Sequence, residues 1–164
     1  VSTPTSTSTA RSDLPQLKRV RAHSSWEGAM RTRHQVRSFA AFHTAEPAPV
    51  GGDDSAPTPM EYVLAALGGC LAVVAETVAT ERQLGLTALD IDIQATMDTR
   101  GFRGTAEVSP HFREVVVRAR FGLAVPDALG ELQRGVERRC PAFNLVKDAG
   151  VPVTLDWTLV QDAS

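Results

Sequence analysis

Two thiols carry the most reactive chemistry in this sequence. Cys70 lies in PTPMEYVLAALGGCLAVVAETVA, which runs from Pro57 to Ala79, and Cys140 follows 70 positions later in RRCPAF. A cysteine is a nucleophile only as its thiolate, and apolar burial keeps it protonated. Cys70 sits inside an apolar helical stretch, away from the positive N-terminal end. A reactive Cys70 therefore needs positive charge from another part of the chain. Arginine suits that task because it stays protonated and offers its donors in a planar fork. A carboxylate would then orient the arginine. Glu61 is the nearest acid on the N-terminal side, nine positions before Cys70, or about two and a half helical turns.

Each residue also has a purely structural explanation. Free cysteine is among the most buried residue types, so Cys70 and Cys140 can be small core residues. Glu61 stands three positions after Thr58, the spacing of a capping box. Pro141 disfavours helical geometry at Cys140 and so predicts a helix end or kink there. Spacing alone leaves both readings open. Other chemistry is weaker. His23, His34, His43 and His111 lack metal-ligand spacing, there is no Cys-x-x-Cys, and a zinc site built from the two cysteines and a histidine has little to support it. The glycines of VGGDDSAP do not follow a strand with phosphate-binding spacing. Asp53 and Asp54 read as turn and solubility residues, and no Ser-His-Asp arrangement can be nominated.

The elements that must position the thiols follow from periodicity and punctuation. Leu17 to Phe42 is rich in Val, Thr, Phe and Arg and predicts two or three strands, broken at Trp26-Glu27-Gly28. Glu46 to Pro59 is a loop by its Pro, Gly and Asp content. The long helix then starts at Thr58-Pro59 and ends near Gly85 as its C′ residue. Its centre is apolar nearly all round, which predicts a core helix. Gly68-Gly69 weakens it by about 1 kcal/mol per glycine relative to alanine, so close approach of a backbone or substrate is expected there. LDIDI and VVVRARFGLAV alternate as strands, separated by turn residues in DTRGFRG. A helix over about Asp127 to Arg139 carries Leu129, Leu132 and Val136 at helical spacing, with Cys140 continuing the stripe. VPVTLDWTLV closes the chain as a strand. This order is that of an α+β domain.

The chain has 164 residues, 43% apolar and 22% charged, with net charge −2. Those values fit one globular domain over residues 17–164, preceded by a disordered tail over residues 1–16. The near-neutral charge predicts no nucleic-acid or anionic-membrane partner; the arginines between Arg19 and Arg37 read mostly as a solvated strand edge. The apolar run from Tyr62 to Ala75 falls short of the roughly 20 residues a bilayer requires. VSTPTSTSTARSD lacks the apolar centre of a secretory signal. A cytoplasmic location is expected, where a cysteine pair that oxidises is catalytic more often than structural.

PTPMEYVLAALGGCL followed by CPAFNLV, with WEG at Trp26 to Gly28 and the loop GGDDSAPTP upstream, resembles the OsmC/Ohr family of thiol-dependent hydroperoxide reductases. The resemblance covers nearly the whole chain after the tail, and the two cysteine motifs in order are its specific part. It implies an OsmC-like fold: curved antiparallel sheets packed around a long central helix, in an intertwined homodimer with active sites at the subunit interface. It implies Cys70 as peroxidatic cysteine, Cys140 as resolving cysteine, and an arginine from the early strands holding the thiolate. Arg31 and Arg33, in MRTRH, alternate to one strand face and are the candidates, with Arg31 preferred from its spacing after WEG. The family glutamate directly follows the proline, whereas Met60 stands there in this chain and Glu61 comes one later, a step of about 100° around the helix. A subgroup of OsmC-like proteins shares this PTPME form.

By that resemblance the expected activity is reduction of organic hydroperoxides in oxidative-stress defence. No cofactor is bound, and an external dithiol, often a lipoylated protein in the family, restores the thiols. One alternative is an OsmC-fold protein that binds a small apolar ligand with little catalysis. Another is thiol–disulfide exchange with protein partners.

Overall fold

A computed structural model describes residues 15–160 of the chain. The tail expected over residues 1–16 lies outside the described residues apart from Pro15 and Gln16. Two compact units form, one ending at Pro57 and the other beginning at Thr58.

In the first unit, β1 (His23–Gly28), β2 (Arg31–Gln35) and β3 (Phe42–Thr44) make an antiparallel sheet in that order. The break expected at Trp26-Glu27-Gly28 is instead the end of β1. The turn is Ala29-Met30, with φ of 45° and 56°. Two consecutive positive-φ residues match the twist of a tight hairpin. Neither is glycine, so the turn stores about 1–2 kcal/mol per residue. Its register sets Gly28 opposite Arg31 and Trp26 opposite Thr32, and Arg31 and Arg33 share a strand face as the period of two requires. His34 ties the strands together, sharing hydrogen bonds with the Ser24 hydroxyl at 2.9 Å and the buried Thr44 hydroxyl at 3.0 Å.

The second unit begins with α1 (Pro59–Glu81). Thr58 is its N-cap and Pro59 its first residue, as expected. The helix stops before Gly85. Gln83 takes the left-handed conformation, φ 56°, and the Leu84 N–H reaches back to the Ala79 carbonyl at 2.9 Å. This is a Schellman-type ending in which Leu84 is pulled into the core.

The strands β4 (Leu86–Met97), β5 (Phe112–Leu123) and β6 (Val153–Leu159) form the second sheet, in the order β4-β5-β6. β4 and β5 are antiparallel, while β6 runs parallel to β5; this sheet is mixed rather than wholly antiparallel. A parallel return needs a long crossover, and α3 (Leu129–Arg139) and α4 (Pro141–Asp148) supply it. DTRGFRG, expected as a turn, contains α2 (Thr99–Arg103), because the Asp98 side chain caps the Arg100 N–H. Alternation along β5 buries Val115, Val117, Ala119 and Phe121. On the opposite face Arg118 and Arg120 pair with Asp92 and Asp90.

The core lies between this sheet and the helices, where Leu67, Leu71, Ala75 and Val78 of α1 meet Val117, Phe121, Leu132 and Val136. The helix is not buried all round, contrary to the sequence expectation. It is long and apolar enough to cross a membrane, yet only 28% of its most apolar stretch is buried. Val63 and Val73 stand 43% and 63% exposed. An α+β fold results, with one long helix laid on a sheet.

Candidate active site

Cys70 projects from the middle of α1, between the buried Leu67 and Leu71, and is half-buried. Cys140 ends α3 and begins α4, with φ −75° and ψ 113°, so the chain turns sharply at the thiol. Pro141 enforces that break, as expected: it has no N–H to continue α3, and its fixed φ suits the first position of the next helix. Cys140 is fully buried. Its sulfur accepts the Phe143 N–H at 3.5 Å, at the positive end of α4.

Cys70 lies near enough to Cys140 to act on its thiol, and both are free thiols. Burial pushes the Cys140 thiol up to about 11; the Phe143 N–H opposes that shift, and the Cys70 contact adds to it. The pair has one deep neutral thiol and one sulfur nearer to solvent.

Two surface ion pairs clamp this corner of the unit. Arg139, immediately before Cys140, grips Glu81 near the end of α1 with both guanidinium nitrogens, and Arg82 pairs with Glu131 of α3. Glycine serves close approach beside the thiol. A Cβ on Gly68 would lie 3.3 Å from Ile93 Cδ1 of β4, so that residue lets the sheet come near. Gly69 faces open space and borders a groove of about 430 Å³ lined by Leu64, Leu89, Ile91 and Ile93.

Glu61 is occupied. The Thr58 N–H donates to its carboxylate at 2.6 Å and the Glu61 N–H donates to the Thr58 hydroxyl at 3.3 Å, a complete capping box. The carboxylate thus satisfies the helix's own first turn.

In the first unit Arg31 is held in a fork. Its Nε donates to Glu27 at 3.2 Å and its Nη1 to the Ser55 hydroxyl at 2.7 Å, with Asp53 at 3.7 Å. The Ser55 hydroxyl donates its own hydrogen bond to Asp53 at 2.6 Å. Those Ser55 bonds, with the Arg31 charge, hold the Asp53 carboxyl below its usual range. Glu27 also lies 3.4 Å from His43 Nε2. Arg33 makes a single long contact, to Gln35 at 3.5 Å. Of the two arginines on this strand face, Arg31 is held by Glu27, Ser55 and Asp53, whereas Arg33 touches only Gln35. Sequence reasoning missed Glu27, Asp53 and Ser55. Asp53 in particular is an arginine partner rather than only a turn residue; the one available signal was the adjacency of WEG and GGDDSAP to the motifs.

No curated protein matches the sequence. Solved structures match its fold closely. An OsmC-like protein from Mycoplasma pneumoniae superposes with a TM-score of 0.75 at 17% identity, over 88% of this chain and 99% of that one. An organic hydroperoxide resistance protein OsmC from Legionella pneumophila gives 0.67 at 16% identity, over 90% and 100%. An organic hydroperoxide resistance protein from Elizabethkingia anophelis gives 0.66 at 14% identity, over 91% and 100%. In sequence, residues 52–156 match the family described as OsmC-like protein. That span is well over half of the chain and includes both cysteines and the helices that bring them together, so the chain belongs to the OsmC-like protein family.

Proposed function

We propose that this protein is a thiol peroxidase that reduces organic hydroperoxides, with Cys70 as the attacking sulfur and Cys140 as the resolving one. The observation that carries the reading is the nearness of the two thiols, Cys70 half-exposed and Cys140 fully buried, with Cys70 raising the Cys140 thiol. Family membership supports it, as do the hydroperoxide-resistance names of the Legionella and Elizabethkingia structures.

In the first step the Cys70 thiolate attacks the outer peroxide oxygen and the O–O bond breaks. The departing alkoxide takes a proton and leaves as alcohol, and Cys70 becomes a sulfenic acid. In the second step the Cys140 sulfur attacks the Cys70 sulfur. The S–O bond breaks, the leaving hydroxide takes the Cys140 proton, and a disulfide and water result. An external dithiol then returns both thiols and is itself oxidised; a lipoylated protein has that chemistry. We assign the cation that favours the Cys70 thiolate to Arg31, which Glu27, Asp53 and Ser55 pre-orient. Glu61, which the resemblance offers as the carboxylate that orients this arginine, closes the helix cap through Oε2. A second copy of the chain covers the exposed apolar face of α1, giving a homodimer, and a reducing compartment such as the cytoplasm keeps the pair ready.

The test is alcohol formation from cumene hydroperoxide with a dithiol reductant. Cys70→Ser abolishes turnover, and Arg31→Gln slows the first step by roughly tenfold to a hundredfold, the effect of losing one charge-assisted hydrogen bond of about 1.5–3 kcal/mol. Arg33→Gln leaves that step within about twofold. Unchanged turnover in Cys70→Ser would refute the reading.

The groove between α1 and β4, where Leu64, Leu89, Ile91 and Ile93 line it with Asp90, favours a second reading, in which the fold binds a small molecule with an apolar part and catalyses little. That reading expects saturable binding of a hydrophobic probe by protein whose thiols ignore peroxide.

A further inference from the structure

We propose that Asn144 is the positioning residue of the resolving thiol, acting by supplying the backbone hydrogen bond that Pro141 cannot make. This inference rests on the thiol-peroxidase reading above.

In an uninterrupted helix the N–H of residue 141 would bond the carbonyl of residue 137, four positions back. Pro141 has no N–H, so the break at Cys140 leaves the Glu137 carbonyl without its helical donor. The Asn144 side-chain amide fills the gap. Its Nδ2 donates to the Glu137 carbonyl at 2.8 Å and to the Cys140 carbonyl at 2.9 Å. Two carbonyl acceptors require the NH₂ end of the amide to face them, which fixes its orientation. The Asn144 backbone N–H donates to the same Cys140 carbonyl at 3.0 Å. One residue thereby bolts the last turn of α3 to the first turn of α4, across the point from which the Cys140 sulfur projects.

The energetic need is specific to this turn. A part-buried carbonyl without a donor is costly, and re-forming the α3–α4 bend brings it to a new partner or to water. Re-forming the bend moves Cys140, whose Sγ is otherwise held by the Phe143 N–H and the Cys70 contact. Disulfide formation demands a narrow range of separations and dihedral angles. A residue that fixes the bend therefore raises the effective concentration of Cys140 toward Cys70, and leaves the attack of Cys70 on peroxide alone.

The experiment equilibrates the Cys70–Cys140 pair against mixtures of reduced and oxidised dithiothreitol and counts free thiols by alkylation and mass spectrometry. Asn144→Asp keeps the shape but turns oxygens toward two carbonyls; Asn144→Ala removes the donors without repulsion and serves if the aspartate variant fails to fold. Val117→Ala, a buried change in β5, is the control for general destabilisation. The expected result is a disulfide about tenfold less stable in the Asn144 variants, a potential about 30 mV higher, with the Val117→Ala pair unmoved. The peroxide rate of Cys70, measured with Cys140→Ser as background, stays within about twofold. Folded Asn144 variants whose disulfide is as stable as the parent's would overturn the proposal, as would an equal shift in Val117→Ala. A parent protein that forms no Cys70–Cys140 disulfide at all would instead refute the thiol-peroxidase reading beneath it.

Discussion

The Cys140 sulfur is placed where its protonated form is favoured, and that has a consequence for stability. Its thiol is raised to about 11 in the folded chain, against about 8.5 in an unfolded one. Between those values the native state holds a proton that the unfolded state has lost, so stability falls as pH rises through the interval. The expected loss is on the order of 3 kcal/mol between pH 8 and pH 11. Urea unfolding across that range in reduced protein measures it, and Cys140→Ala should remove this slope. The same placement explains why the roles proposed for the thiols come from resemblance and not from spacing. A cysteine on an apolar stripe looks the same in sequence whether it touches another sulfur or a leucine. Glu61 shows the converse: the Thr58-to-Glu61 spacing announced a capping box, and the carboxylate is found in one.

Helices bring the thiols together, and they do so through close packing at small residues. A Cβ on Gly135 of α3 would lie 2.8 Å from Val78 Cγ1 of α1, with both residues buried. Gly135→Ala therefore forces α3 away from α1 or displaces Val78. A destabilisation of about 1–3 kcal/mol is expected for such overpacking, measured by urea unfolding, despite alanine's better helix propensity. The sequence predicted α3 well because Leu129, Leu132 and Val136 carry a clear helical stripe. It showed the break at Cys140 through Pro141 but hid α4. Proline reads locally as a stop, while its other role as first residue of a new helix depends on the turn that Asn144 secures. The strand alternations of β4, β5 and β6 were legible for a simple reason: one sheet face packs on helices and the other carries Asp90, Asp92, Arg118 and Arg120.

At the scale of the molecule, the outstanding feature is a long apolar helix left mostly uncovered by its own chain. Exposed apolar patches of this kind mark interaction surfaces, and a symmetric dimer satisfies one with a second copy. Val73, at 63% exposure, is the most uncovered large apolar residue on α1. Val73→Glu is expected to shift the protein from dimer to monomer in sedimentation equilibrium, without loss of its circular-dichroism helix signal. A parent that sediments as a monomer would remove the dimer from the account. Periodicity predicted burial here because it registers how apolar a helix is, and cannot tell its own core from a partner's.

The central claim is that Cys70 and Cys140 are one redox unit, and peptide mapping after peroxide treatment tests it most directly. Fully reduced protein receives one equivalent of cumene hydroperoxide, is alkylated and digested without reductant, and its peptides are weighed. The account predicts the Cys70 and Cys140 peptides joined by a disulfide, released again by a dithiol, and not formed in Cys70→Ser. Recovery of both cysteines alkylated and separate, with the peroxide unconsumed, would contradict it.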